Sequence, residues 1–115
     1  MKRIAVILMI LSVGIAYAQN DNKTKYEQKG DLVEAIIYND NGQLEQHGFF
    51  KDKKLHGTWT YFNDKGEKVS IGNYVNGIKT GKWLFKNDDG VKEVNYVNGK
   101  VVKVTKLEDT SIALN

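Results

Sequence analysis

From Gly30 to about residue 105, apolar and polar side chains alternate in short runs separated by turns rich in asparagine, aspartate and glycine. Thr58-Trp59-Thr60-Tyr61-Phe62 is the clearest run. Trp59 and Tyr61 alternate with Thr58 and Thr60, the period-two pattern of a half-buried strand, because successive strand side chains point to opposite faces. Asn63-Asp64-Lys65-Gly66 then closes a tight turn: Asn and Asp bond nearby backbone, and Gly takes a positive φ cheaply. Lys68 to Val75 reads as the return strand. Asn76-Gly77 is a strong hairpin signal, since both central residues of a type I′ turn need positive φ. Asn98-Gly99 repeats that signal and Asn41-Gly42 adds a third. No stretch suits a core helix. The pattern predicts an all-β domain, an elongated antiparallel β-hairpin meander of about six to eight strands.

The runs also repeat. Gly42, Gly66 and Gly90 lie 24 residues apart, and the same step separates Gly48 from Gly72, Gly57 from Gly81, Trp59 from Trp83, Tyr61 from Phe85 and Phe50 from Tyr74. After Gly90 the step shortens by two, so that Tyr74-Val75-Asn76-Gly77 recurs 22 residues later as Tyr96-Val97-Asn98-Gly99. About three units of 22–24 residues fill 30–105, and a fixed period of this length marks a repeat architecture. Gly57-Thr58-Trp59-Thr60-Tyr61-Phe62, Gly66, Gly72-Asn73-Tyr74-Val75-Asn76-Gly77 and Gly81-Lys82-Trp83-Leu84-Phe85 together resemble the MORN repeat, and most closely the bacterial variant in proteins labelled toxin–antitoxin-type antitoxins. The resemblance implies an elongated hairpin array with a binding or scaffolding role and no common chemistry. The first unit departs from it: Ala35 and Ile37 stand where Trp and Tyr stand later, and Lys53 replaces the glycine of Asn76-Gly77.

The flanks differ in texture. Lys2 and Arg3, the apolar run Ile4 to Leu11 and Ala16-Tyr17-Ala18 form a secretory leader over 1–18 with a cut after Ala18. The run is shorter than the ~20 residues a membrane-spanning helix needs. Cleavage leaves 97 residues and lowers the formal net charge from +3 to +1, which removes the main electrostatic support for a nucleic-acid partner. Residues 19–29 are polar and read as a flexible arm; residues 106–115 lose the repeat and read as a tail. The chain has neither cysteine nor proline. Disulfides, thiolate chemistry and a lipoprotein anchor are excluded.

Little in this pattern suggests chemistry. Phe50, Trp59, Tyr61, Tyr74, Trp83, Phe85 and Tyr96 are expected to be the repeat core; the competing reading makes Trp59, Tyr61, Trp83 and Phe85 a stacking platform for sugars or bases. The turn glycines are Gly42, Gly66, Gly77, Gly90 and Gly99. His47 and His56 are too few and too variable in the repeat for a metal site. The acidic turns at Asp40, Asp64 and Asp88-Asp89 lack the spacing of a calcium loop. No catalytic constellation, cofactor-binding motif or metal-ligand set is expected. Lys79, Lys82 and Lys86 form the candidate charged surface for an anionic membrane.

The function expected is that of a small exported, non-enzymatic protein-binding or scaffolding module of a bacterial envelope or extracellular space. Its partner is an unknown protein; the alternatives are an envelope phospholipid or glycan surface, or an antitoxin-like role by family label. No nucleic-acid partner is expected. The apolar strand 31–38, with Ile36 at its centre, is the expected open edge for strand addition, because the Lys/Val alternation of Lys100 to Thr105 discourages pairing at the other end.

Overall fold

The computed structural model describes residues 23–107, so the leader expected over 1–18 and residues 108–115 lie outside the described residues. Eight strands follow one another: β1 (Thr24–Lys29), β2 (Leu32–Tyr38), β3 (Leu44–Lys51), β4 (Lys54–Phe62), β5 (Lys68–Val75), β6 (Ile78–Asn87), β7 (Gly90–Val97) and β8 (Lys100–Leu107). Each pairs antiparallel with its sequence neighbours, giving a single sheet in the order β1 to β8. This is the all-β meander that the alternation predicts, and no helix occurs among the described residues.

Turn chemistry sets the register. Asn76 and Gly77 have φ of 52° and 84°, and Asn98 and Gly99 have 52° and 81°, the paired positive values of a type I′ hairpin. Asn41-Gly42 works differently. Among the positive-φ residues of that loop only Gly42 appears, at 79°; the Gly42 N–H donates to Asn39 O, and Asn39 N–H donates to Gln43 O. The Asn39 side-chain oxygen accepts from the N–H groups of Asn41 and Gln43. The same construction recurs at Asn63, whose side-chain oxygen accepts from Lys65 and Glu67. The first asparagine, rather than the Asn-Gly pair, organises these two loops.

The shortened third period also has a local cause. The β4–β5 ladder carries an extra residue between Tyr61↔Ser70 and Phe62↔Lys68, and its turn runs from Asn63 to Glu67. The β6–β7 ladder has no such irregularity, and its turn closes at Asn87↔Gly90 with only Asp88 and Asp89 between. One residue is lost from the ladder and one from the turn, which accounts for the step of 22.

The core is one row across one face. Ala35 pairs with Gly48, Trp59 with Gly72, Trp83 with Val94, and Val94 with Val104. Trp59 and Trp83 are 2 % and 1 % exposed, and Ala35 is fully buried. Each indole lies over a glycine of the preceding strand. A Cβ on Gly48 would fall inside the Trp59 ring, and one on Gly72 inside the Trp83 ring. Both strands bearing the indoles bulge to allow this. Between His47↔Thr60 and Phe49↔His56, two steps on β3 match four on β4, and the same holds between Ile71↔Leu84 and Asn73↔Thr80. Gly57 and Gly81 turn the bulges with φ of 77° and 70°. Each indole N–H then donates to a carbonyl beside the bulge: Trp59 to Phe49 O at 3.0 Å and Trp83 to Asn73 O at 3.1 Å. A buried indole without that acceptor would carry an unpaid desolvation cost of about 1–3 kcal/mol.

Three expectations about the ends are corrected. Residues 24–29 are not a flexible arm: β1 pairs along its whole length with β2, from Thr24↔Ile37 to Lys29↔Leu32. Its side chains are almost all exposed, so it shows no apolar alternation and is held by ladder hydrogen bonds. The 31–38 strand is therefore interior, and Ile36 sits between Lys25 and His47 rather than on an edge. At the other end β8 runs to Leu107, two residues past the expected repeat boundary.

Candidate interaction surface

The aromatic set forms a continuous ladder of ring contacts. Tyr74 is wedged edge-on between the indoles, with ring centroids 6.3 Å from Trp59 and 5.1 Å from Trp83. Phe50 meets Trp59 edge-on at 5.5 Å, Tyr96 meets Trp83 at 6.1 Å, and Phe85 stacks on Trp83 at 5.9 Å. Tyr61 flanks Trp59. Burial, aided by the hydrogen bond with Tyr61, pushes the Tyr74 hydroxyl up to about 12. All seven aromatics named from the sequence meet in this ladder, and both indoles are covered by their neighbours. A sugar platform needs an open ring face, which neither Trp59 nor Trp83 offers.

The lysines do not form one patch. Lys79 lies on the aromatic face, its ammonium 5.2 Å from the ring centres of both Trp83 and Tyr96. Lys82 and Lys86 fall on the opposite face by strand alternation. Lys82 is 3.9 Å from Glu93. Lys86 helps hold the Glu67 carboxyl below its usual range, after the larger effect of the Asn63 hydrogen bond. Acidic neighbours thus accompany both lysines of that face.

The N-terminal end is built from polar contacts. On the face opposite the indoles, His47 Nε2 lies 2.7 Å from Glu34 Oε2, and Lys29 Nζ lies 3.7 Å from Glu34 Oε1. The hydrogen bond to His47, and then the Lys29 charge, hold the Glu34 carboxyl below its usual value against the opposing effect of desolvation. The Lys23 ammonium pairs with Asp40. Lys25, Tyr26, Glu27, Glu34 and Ile36 line a shallow, mostly open depression of about 480 Å³ beside β1. His56 Nδ1 accepts from the Asn76 N–H at 3.4 Å, across the hairpin turn. No group of three or more His, Asp or Glu side chains able to hold a metal ion occurs among the described residues.

The strongest exposed feature was missed in the sequence. Val101, Val102 and Val104 are 54 %, 61 % and 57 % exposed on β8, which pairs on one side only. A ladder irregularity between Asn95↔Lys103 and Tyr96↔Val101 shifts the alternation of β8. Val101 therefore lies opposite Tyr96 and Val104 opposite Val94, both on the aromatic face, although they are an odd number of positions apart. Lys100 and Lys103 turn to the other face. Plain alternation hides this, because only the bulge brings Val101 to the side of Val104. Val75, Ile78 and Val97 add exposed aliphatic surface around the two type I′ turns.

Comparison with known proteins adds no relative: no protein-family profile, curated protein or solved structure matches this chain.

Proposed function

We propose that the chain is a small, exported, non-enzymatic protein-binding or scaffolding module, a MORN-type array of about three hairpin units acting in a bacterial envelope or extracellular space. The observation that carries the reading is the asymmetry of the two sheet edges. β1 is polar and charged, whereas β8 sets three exposed valines beside an unpaired row of backbone groups. An edge of that kind accepts an extended strand, with main-chain hydrogen bonds giving affinity and the alternate side chains giving selectivity. The phospholipid and glycan alternatives draw less support, since the indoles are buried and the three lysines divide between two faces. The antitoxin-like alternative rests on the family resemblance alone and conflicts with a leader peptide.

The test is affinity capture from the periplasm and medium of the source cell. A partner retained by the wild type and lost with Val102→Lys supports edge recognition. Retention by that variant combined with loss on replacing Lys82 and Lys86 overturns it in favour of the charged surface. Export is checked separately by mass spectrometry of the native protein, which should begin at Gln19; an intact Met1 removes the leader from the reading.

A further inference from the structure

The two edge strands are held to the sheet by different means. Only Thr24 of the six β1 residues is even partly buried, and Tyr26, which β1 sets against Ala35, is 54 % exposed. Peeling β1 away would uncover one small buried side chain, Ala35. Peeling β8 would uncover two larger ones, Val91 and Val94, which face Leu107 and Val104. Newly exposed apolar area sets much of the cost of opening a strand pair, so β1 is the cheaper strand to release.

The side-chain ties of β1 are polar and exposed. The Lys23 ammonium pairs with Asp40, and Lys25 Nζ lies 5.7 Å from the centre of the Tyr38 ring. The Gln28 side-chain amide donates to Gly30 O at 2.8 Å and to Leu32 O at 3.1 Å. Glu27 stands directly opposite Glu34, and like charges directly opposite destabilise a strand pair. Lys29 relieves this from between them, its Nζ 3.6 Å from Glu27 and 3.7 Å from Glu34. Lys23, Lys29 and Asp40 are half or more exposed, and ion pairs of that kind contribute little. What remains is the ladder. Tyr38 N–H donates to Lys23 O at 2.6 Å, which fixes its phase. Leu32, Glu34 and Ile36 bond outward to β1, and Val33, Ala35 and Ile37 bond inward to β3.

We infer that β1 is a displaceable strap: it opens as a unit while β2 to β8 stay paired, and in opening it uncovers β2. The strand beneath is the apolar one, with Val33, Ala35, Ile36 and Ile37 between Leu32 and Tyr38, the pattern that suits a strand-accepting edge. β1 is an imperfect occupant of that edge, since it presents a carboxylate to Glu34. An extended segment with a basic residue in the place of Glu27 pairs with Glu34 better than β1 does. The device goes beyond the recognition edge proposed on β8 and does not depend on it.

Amide hydrogen exchange of the full chain reads the opening directly. After correction for intrinsic rates, the outward N–H groups of Leu32, Glu34 and Ile36 should exchange at least about tenfold faster than the inward ones of Val33, Ala35 and Ile37, alternating along one strand. Lys29→Glu sets a third carboxylate beside Glu27 and Glu34, and should speed the outward set severalfold while leaving the inward set unchanged. The chain has no cysteine, so Gln28→Cys with Val33→Cys gives a single disulfide across a non-hydrogen-bonded pair, where opposed side chains stand closest. Oxidised, that clamp should slow the outward set to the rate of the inward set, and reduction should restore the difference. Equal rates for the two sets in the wild type overturn the inference. So does a Lys29→Glu variant in which both sets speed up together, because the whole sheet then opens at once. Alternation that persists in the oxidised clamp also overturns it, since the amides then open without release of the strand. Lys29 is half exposed, so its variant keeps the fold and decides the matter alone if the clamped one does not fold.

Discussion

The middle of the sheet and its two ends are built on the same hairpins but held by different means. In β3 to β6 each hairpin carries an indole, a glycine beneath it, a second glycine turning the bulge and a carbonyl receiving the indole N–H. At the ends all of these are missing together. Ala35 takes the place of the indole in β2, Tyr26 rather than a glycine faces it from β1, and Val33 stands 24 residues before Gly57; the β1–β2 ladder has no irregularity. On β8 Val104 faces Val94, a valine where β5 has Gly72. Glycine and tryptophan therefore behave as one device: remove the indole and the glycine loses its reason, since nothing then lies over the backbone; a bulge can stand without them, as the β7–β8 ladder does at Asn95 and Tyr96. The N-terminal end replaces that device with polar contacts of Glu34, His47 and Lys29, and the C-terminal end leaves exposed valines.

The largest expected effects lie in the middle. Trp59→Ala and Trp83→Ala should each cost about 3–5 kcal/mol, a large part of the ~5–10 kcal/mol available to a domain of this size. Gly72→Ala should be comparably damaging for the opposite reason, since the new Cβ collides with Trp83. The pair is the sharper test. If the two residues form one device, Gly72→Ala in a Trp83→Ala background should cost well under half its value in the wild type, measured by urea denaturation. Full additivity would break the comparison. Val94→Gly, at the matching position of the last unit, should by contrast be unfavourable because no indole waits above it.

The fold was readable from the sequence because its signals are local. Alternation, the Asn-Gly pairs and the 24-residue step each concern residues within one hairpin, and the hairpins are consecutive in the sheet. The partners of the indoles were half readable: Gly48 and Gly72 stood out as a repeated pair, but their contact with Trp59 and Trp83 spans two strands and depends on the bulge. The ends were misjudged because both depend on something other than alternation. Thr24–Lys29 is a strand without an apolar face, and the exposed Val101–Val104 surface arises from a one-residue shift that no composition or period records. The lysines were grouped by sequence proximity, whereas strand alternation sends Lys79 to one face and Lys82 and Lys86 to the other.

A smaller test concerns the turns that join the two regions. The β3–β4 hairpin turns through Asp52 and Lys53 at φ of 51° and 69°, and the β5–β6 hairpin through Asn76 and Gly77 at 52° and 84°. The geometry is shared, but Lys53 carries a Cβ into the left-handed region, a cost of roughly 1–2 kcal/mol for an L-residue. Lys53→Gly should raise stability by about 0.5–1 kcal/mol, part of the relief being offset by the added freedom of glycine in the unfolded chain. Gly77→Lys should lose a similar amount. Thermal midpoints that move in the same direction for both variants would show that the two hairpins are not equivalent at their turns.

The smallest expected effect separates polar from apolar anchoring by pH. The Glu34 carboxyl is held below its ordinary value of 4.5, chiefly by His47 and then by Lys29. A carboxylate with a depressed folded-state value stabilises the fold above its unfolded value, and loses that contribution as pH falls through the folded one. Stability should therefore be level with respect to this group above about pH 5.5 and decline below the ordinary carboxylate range as Glu34 is protonated. The pair is partly open to solvent, with Glu34 19 % and His47 35 % exposed, so the loss should stay within about 1 kcal/mol. Glu34→Gln should lower stability at neutral pH by that amount and flatten the corresponding part of the acid limb. Glu67→Gln should remove a different and smaller part, because Glu67 is also held low, by Asn63 and Lys86, but from a turn rather than between strands. If Glu34→Gln leaves the acid limb unchanged while Trp59→Ala steepens it, the N-terminal hairpins draw their stability from the indole row after all, and the division between a polar end and an apolar middle fails.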